Sequence, residues 1–322
     1  SASGPPTHAL EVLQPALALR KLAAAWTSDV PLARAYAASS AAAYAAAVAL
    51  VAVPSMCVVP LGLAATNATL HAQLRLLGAL LLPTAAATTG LADAAANDRL
   101  SSATYTALNA ALFYSCIAWV YQVCGLFKLS ADAFLGTPFV PLIAVMPALF
   151  CASRVAGTLG QLMADVKTAA SGVWRLSADD DTTLPARALS LAGSFMLLLG
   201  FATLVSSGAM MHAGVADAWF GAATTGPAQV NFVAQRLTAM PLIFAAVVGA
   251  TLKSAAERGR LSGKTFVMLA QAYLACGIIG AATSAQATVA AAAAGAWLPA
   301  VILVGWVAVA AAGALCLTSS SK

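Results

Sequence analysis

Five side chains in or beside the apolar segments of this sequence can act as ligands through nitrogen or oxygen. An imidazole or carboxamide at membrane depth can supply the one axial N or O atom that the hard magnesium ion of a chlorophyll accepts. The same groups can equally hydrogen-bond across a helix–helix interface, which is their commoner use in membranes. Both interpretations stay open for these pigment-ligand candidates, which are His71, His212, Asn109, Gln271 and Gln122.

A second set of candidates is basic or aromatic and lies near the ends of the apolar segments or in the loops between them. Such side chains bind anionic lipid headgroups or the loops of partner proteins at a membrane surface. An arginine close to the end of a membrane helix can also extend to the interface as a simple anchor. These lipid-contact or partner-contact candidates are Arg75, Arg236, Arg99, Arg260, Trp174 and Arg175.

The sequence lacks the common signatures of catalysis. It has no phosphate-binding loop, no H-E-x-x-H zinc motif and no nucleophile elbow, and no apolar segment carries a pair of carboxylates. The six cysteines include no C-x-x-C pair, so we expect buried thiols in place of a disulfide framework or zinc site. We therefore expect a protein that is not an enzyme, with no catalytic residue and no metal site of its own.

Four of the candidate arginines form two pairs with the same separation along the chain. Arg75 corresponds to Arg236, and Arg99 corresponds to Arg260. The apolar runs between the members of each copy are also similar. Self-similarity of this length indicates a unit that was duplicated and fused.

The repeated unit contains a local motif, Arg-Leu-Ser-x-x-Thr, at 99–104 and again at 260–265. A serine ahead of an apolar run is typical of a helix N-cap, where the hydroxyl accepts a backbone N–H two or three residues later. We therefore predict that Ser101 and Ser262 cap the helices that follow.

The composition requires a membrane environment. The 322 residues are 61% hydrophobic and only 8% charged, with a mean hydropathy of +0.87. Soluble domains carry about 25% charged residues, so a water-exposed surface cannot be built from this chain. The apolar runs lack the dyad alternation of a membrane β-barrel, which favours helices.

A membrane-spanning helix needs about 20 predominantly apolar residues, and eight segments meet that requirement. Four spans fall in each copy of the repeat. Since four is even, both copies must have the same orientation. The predicted fold class is all-α: a polytopic membrane protein with eight transmembrane helices, arranged as two tandem four-helix repeats in parallel orientation. The spans are predicted at 37–63, 71–92, 102–127, 138–163, 186–210, 230–252, 264–285 and 291–317.

The predicted organisation has four parts. An N-terminal interfacial segment and an interfacial linker carry apolar and basic residues together, so we expect both to lie flat on the bilayer. The other two parts are the membrane repeats. In chain order the boundaries are 1–36 for the N-terminal segment, 37–163 for the first repeat, 164–185 for the linker and 186–318 for the second repeat.

The basic residues predict the orientation. Thirteen of the sixteen Lys and Arg residues fall on the side that holds both termini, and only Arg75, Lys128 and Arg236 fall on the other. The positive-inside rule places the first side in the cytoplasm or its organelle equivalent. The start at Ser1 is typical of a mature chain without its targeting peptide. We expect the thylakoid membrane with both termini in the stroma; the alternative is the mitochondrial inner membrane with both termini in the matrix.

Three roles suit such a protein. The first is a non-catalytic structural or linker subunit of a large membrane supercomplex, with a plastid photosystem–antenna assembly as the expected one. There it would contact other subunits and bind chlorophyll, carotenoid and lipid, with no role for nucleic acid. The second is a transporter or channel for a small molecule built from two four-helix repeats. The third is an accessory subunit of a mitochondrial respiratory complex or ATP synthase.

Overall fold

The structure is a computed structural model that describes residues 16–58, 68–127, 149, 183–212, 228–292 and 298–320. At 16, 58, 68–69, 120–127, 205–212, 228–236, 287 and 290–292 the description is of the helical backbone alone. The elements in these ranges are all helices. In chain order they are α1 Ala16–Trp26, α2 Pro31–Ala52, α3 Pro54–Val58, α4 Ala68–Ala96, α5 Ala103–Phe127, α6 Leu184–His212, α7 Ala228–Glu257, α8 Lys264–Ala292 and α9 Leu298–Ser320.

Six helices are long and apolar enough to cross a bilayer, so the chain is an integral membrane protein. A further helix, α5, has 25 residues and no charged side chain. Seven of the eight predicted spans overlap one of the helices α2 or α4–α9. The fourth predicted span, 138–163, lies outside the described residues apart from Leu149. The six candidate spans are Pro31–Ala52, Leu70–Ala96, Leu184–Leu204, Leu237–Glu257, Lys264–Gln286 and Leu298–Ser320.

The first span starts and ends earlier than the sequence predicts. α2 begins at Pro31 and stops at Ala52, in place of the expected 37–63. Proline suits the first turn of a helix, but Pro54 has no N–H to donate and drives the preceding residue out of the helical region. Val53 accordingly has φ −133° and ψ 57°, which is not helical. The predicted boundary between residues 36 and 37 therefore falls inside α2.

α4 and α7 form the centre of the bundle. They contact each other, and 78% and 83% of the residues in their membrane-length windows are buried. α2 packs along α4, and α6 packs along α7. α8 also contacts α4, while α5 contacts α7, and α9 lies against α8 and α6. Each central helix contains an internal proline, Pro83 in α4 and Pro241 in α7.

The turns that follow the two central helices share an unusual backbone conformation. Asp98 and Gly259 occupy corresponding positions of the two copies, and both have positive φ, 52° and 62°. A left-handed residue just past a helix end is a common C-terminal cap, and it favours Gly or, less often, Asn and Asp. α4 and α7 thus end in the same way.

The backbone hydrogen bonds of these turns also correspond one to one. Arg99 and Arg260, for example, each donate a bond of 2.8 Å from the backbone N to a helix carbonyl. The carbonyls of Ser102 and Gly263 accept the first backbone hydrogen bond of the following helix, so these two residues are the N-caps. The prediction that Ser101 and Ser262 are the N-caps is therefore wrong by one residue. The four pairs, donor first, are Asp98–Ala95 with Gly259–Ala256, Arg99–Ala94 with Arg260–Ala255, Ser102–Arg99 with Gly263–Arg260, and Thr106–Ser102 with Val267–Gly263.

Small residues let α8 and α9 approach closely. A Cβ added to Gly313 of α9 would lie 2.7 Å from the backbone N of Leu274 in α8. Gly277 of α8 lies in the same way against the backbone of Ala310 in α9. Because the hydrophobic effect does not drive helices together inside a bilayer, such close van der Waals contact is a main source of their association.

Candidate functional site

Ionic contacts concentrate where the turns after α4 and α7 lie. Asp93, in the last turn of α4, accepts from two cations through the same Oδ2 atom. Lys21 Nζ of α1 is 3.1 Å away, and Arg99 Nη2 is 2.9 Å away. Lys21 is only 9% exposed, whereas the Arg99 side chain is about half exposed. The buried lysine needs a counter-charge because an isolated ammonium is costly to remove from water.

Thr265, the threonine of the second Arg-Leu-Ser-x-x-Thr motif, extends this cluster to α8. Its Oγ1 accepts a hydrogen bond from Lys21 Nζ at 3.2 Å and lies 3.1 Å from the Tyr105 hydroxyl of α5. Lys21 therefore bonds groups beside both turns at once. The two turns must lie side by side at one end of the bundle.

We call Lys21, Asp93, Arg99, Tyr105 and Thr265 the polar cluster. Its members come from α1, α4, α5 and α8, and from the turn before α5. Ala25, 1% exposed, anchors α1 against the bundle one turn from Lys21. The chemistry available here is ion pairing and hydrogen bonding, which position helices and complement an anion at the surface.

The duplicated arginines have different surroundings. Arg99 is held by Asp93, but the residue that corresponds to Asp93 in the second copy is Ser254, which carries no charge. Arg260 is exposed, and the structure shows no ion pair for it among the residues described. Arg260 is thus open to a lipid headgroup or partner, whereas the Arg99 guanidinium is already engaged.

Of the five pigment-ligand candidates, Asn109 and Gln271 have the clearest surroundings. Asn109 is buried, and its Oδ1 accepts a hydrogen bond of 2.7 Å from the Tyr36 hydroxyl of α2. This is the helix–helix bond that the sequence left open as an alternative. Gln271 of α8 borders an apolar cavity.

The other candidates are not brought together with the polar cluster. His71 and Arg75 lie half-buried in the first two turns of α4, at the opposite end of that helix from Asp93. Three more lie in helices at positions for which the backbone alone is described. Trp174 and Arg175 lie outside the described residues. The three backbone-only positions are Gln122 in α5, His212 in α6 and Arg236 in α7.

The cavity beside Gln271 has a volume of about 490 Å³ and lies among α1, α2, α4 and α8. Its walls are almost wholly apolar, and it falls within the size range of small-molecule sites in proteins. Tyr44 of α2 also lines it. The lining residues are Ala18, Leu19, Leu22, Ala41, Tyr44, Leu82, Met268, Gln271, Ala272 and Ala275.

A hydrogen bond that the sequence does not predict joins α5 to α7. Trp119 Nε1 donates to the carbonyl oxygen of Leu237 at 3.0 Å. Leu237 is four residues before Pro241, which has no N–H, so this carbonyl lacks its helical partner. The sequence shows a proline within an apolar segment and a tryptophan whose indole N–H needs an acceptor. It does not show that the two lie close together in the fold.

A further buried bond joins α2 to α4. Ser40 Oγ donates to the carbonyl oxygen of Ala85 at 2.8 Å and lies 2.6 Å from Thr89 Oγ1. Such bonds supply the partners that polar groups cannot find in lipid. Polar side chains at membrane depth are here used to join helices.

Comparison with protein-family models, curated proteins and solved structures found no match to this chain.

Replacing Asp93 by asparagine removes the charge that compensates buried Lys21. We expect a loss of about 1.5–3 kcal/mol in the free energy of unfolding, typical of a hydrogen bond to a charged group. Arg99→Gln is the matched control, since its half-exposed ion pair is worth less than about 1 kcal/mol. Unfolding of both variants in detergent micelles, followed by circular dichroism, measures the difference. Equal losses in the two variants would show that Lys21 does not depend on Asp93.

Trp119→Phe leaves the Leu237 carbonyl without a donor, and we expect it to cost about 1–3 kcal/mol. In a Pro241→Ala background the backbone N–H of residue 241 can bond that carbonyl, so the same substitution should cost less. A double-mutant cycle of unfolding free energies isolates this coupling. Additive effects of the two substitutions would contradict the assignment.

Proposed function

We propose that the protein is a non-catalytic structural subunit of a large membrane supercomplex, built from two parallel four-helix repeats. The contacts between helices support the repeat. In the predicted repeat, α2, α4 and α5 of the first half correspond to α6, α7 and α8 of the second. The contact between α2 and α4 then corresponds to the one between α6 and α7, and the contact between α4 and α8 to the one between α7 and α5. All four pairs are in contact. The adjacent turns after α4 and α7 support the parallel orientation, because antiparallel copies would place them at opposite ends.

The fourth predicted span would complete this arrangement. α9 packs on α8 and α6 in the second half. The span predicted at 138–163 is its counterpart in the first half of the sequence, and it lies outside the described residues apart from Leu149. We propose it as the eighth span of the protein.

The observation that carries the structural role is the division of polar and apolar groups. At membrane depth, polar side chains such as Ser40 and Trp119 bond neighbouring helices. The outward faces of α6 and α9 instead present large apolar side chains at helical spacing. In a bilayer these faces contact lipid or the helices of other subunits. The exposed residues are Leu191, Leu198 and Phe201 on α6, and Val301, Val304 and Val307 on α9.

We further propose that the supercomplex is a plastid photosystem–antenna assembly in the thylakoid membrane, with both termini in the stroma, and that the protein binds chlorophyll and carotenoid. The pigment-binding part rests on the imidazole and carboxamide side chains in or beside the apolar segments. The expectation of an organelle rests on the sequence.

Purification of the tagged protein from its native membrane in mild detergent tests this proposal. We expect it to migrate on a native gel far above the 32.2 kDa of the chain and to carry the red absorption bands of chlorophyll. Its partners would be membrane subunits identified by mass spectrometry. The control is the same preparation after strong detergent, which should release the isolated, colourless chain.

Other outcomes would contradict the proposal in distinguishable ways. A large complex with haem bands and no chlorophyll would indicate the respiratory alternative. A chain that purifies alone, without pigment, and moves small solutes into vesicles in an Arg75-dependent way would indicate the two-repeat transporter.

A further inference from the structure

We propose that the apolar cavity between α2 and α8 binds one acyl chain of an anionic membrane lipid, with the lipid headgroup at the basic edge formed by Arg20 and Lys264. The inference goes beyond the proposed function and assigns the lipid binding expected from the sequence to a specific place. It concerns the isolated chain in a bilayer, so it can be tested apart from the supercomplex.

The shape of the cavity follows from the helix packing. α2 and α8 both pack on α4, which leaves a hollow between them with Leu82 of α4 at its floor. Small side chains at Ala41 and Ala275 leave room between the facing walls. α1 crosses the end of the hollow and contributes Leu19 and Leu22. The result is an apolar space of about 490 Å³.

The chemistry of the walls selects an acyl chain. Apart from Tyr44 and Gln271, every lining residue is apolar, so a polar ligand would lose its hydration without regaining hydrogen bonds. The hollow also faces outward, because Ala41 is exposed and Ile278, one turn beyond Ala275, is 54% exposed. Lipid acyl chains surround this surface, so an acyl chain is the apolar molecule that can enter the cavity from the bilayer.

Two exposed basic residues lie next to lining residues of the cavity along their helices. Arg20 follows Leu19 on α1, and Lys264, the first residue of α8, is one turn before Met268. The carboxylate of the polar cluster, Asp93, is already bonded by Lys21 and Arg99. Arg20 and Lys264 therefore remain available to a phosphate or sulfonate group at headgroup depth.

The test uses the full chain in nanodiscs of equal phosphatidylglycerol and phosphatidylcholine. After transfer to detergent, native mass spectrometry counts the retained lipids. We expect one retained phosphatidylglycerol per chain. Ala275→Phe fills the cavity and should reduce this occupancy at least tenfold. Ala282→Phe is the matched control, since Ala282 lies on the same helix, is exposed and does not line the cavity; it should retain the lipid.

A second readout locates the tail. Phosphatidylglycerol with a diazirine on its acyl chain should label peptides that contain Leu22 and Met268. Ala18→Phe fills the cavity from peripheral α1 and decides the matter if Ala275→Phe does not fold. Arg20→Gln should lower the preference for phosphatidylglycerol over phosphatidylcholine.

Three results would overturn the inference. The first is that Ala18→Phe or Ala275→Phe retains as much lipid as the control Ala282→Phe. The second is that labelling spreads evenly over the outward faces of α6 and α9. The third is that the wild-type chain retains phosphatidylglycerol and phosphatidylcholine equally. None of them bears on whether the protein migrates in a pigment-containing complex, which tests the proposed function separately.

Discussion

The contacts between the helices depend on one constraint: lipid offers no hydrogen bonds, so a polar group inside the bilayer is stabilised by a partner within the protein. A few buried polar atoms, among them those of Gln73 and Tyr273, have no such partner among the described residues. Trp119 and the Leu237 carbonyl show how the constraint is met. Pro241 removes one helical hydrogen bond from a central helix, and an indole from another helix replaces it. The replacement joins the two halves of the bundle. A proline that would weaken an isolated helix in lipid becomes a place where helices are held together.

The same constraint explains the polar cluster. Lys21 of α1 is buried, and its charge is tolerated because Asp93 compensates it and Thr265 accepts a further hydrogen bond. Since Asp93 precedes the turn after α4 and Thr265 follows the turn after α7, one lysine fixes both turns to α1. These bonds offset the free energy of burying the lysine ammonium. They also fix the turns after α4 and α7 relative to each other at that end of the bundle.

Much of the fold could be predicted from the sequence, because hydropathy alone identifies apolar segments of membrane length. Boundaries were less accurate where local chemistry intervened: Pro54 ends α2 early, and the turns through Asp98 and Gly259 place each following N-cap one position later than expected. The polar cluster could not be predicted. Its central pair joins Lys21 to a residue 72 positions away, and nothing in the spacing of either residue points to the other.

Our central claim is that two like-oriented halves, each ending a central helix in the same turn, are joined at one end of the bundle. Single cysteines at Ser101 and Ser262, in a chain whose native cysteines are replaced, test it directly with a membrane-impermeant maleimide and sealed, oriented vesicles. The account predicts that both positions react from the same side and neither from the other. Labelling of the two positions from opposite sides of the membrane would contradict it.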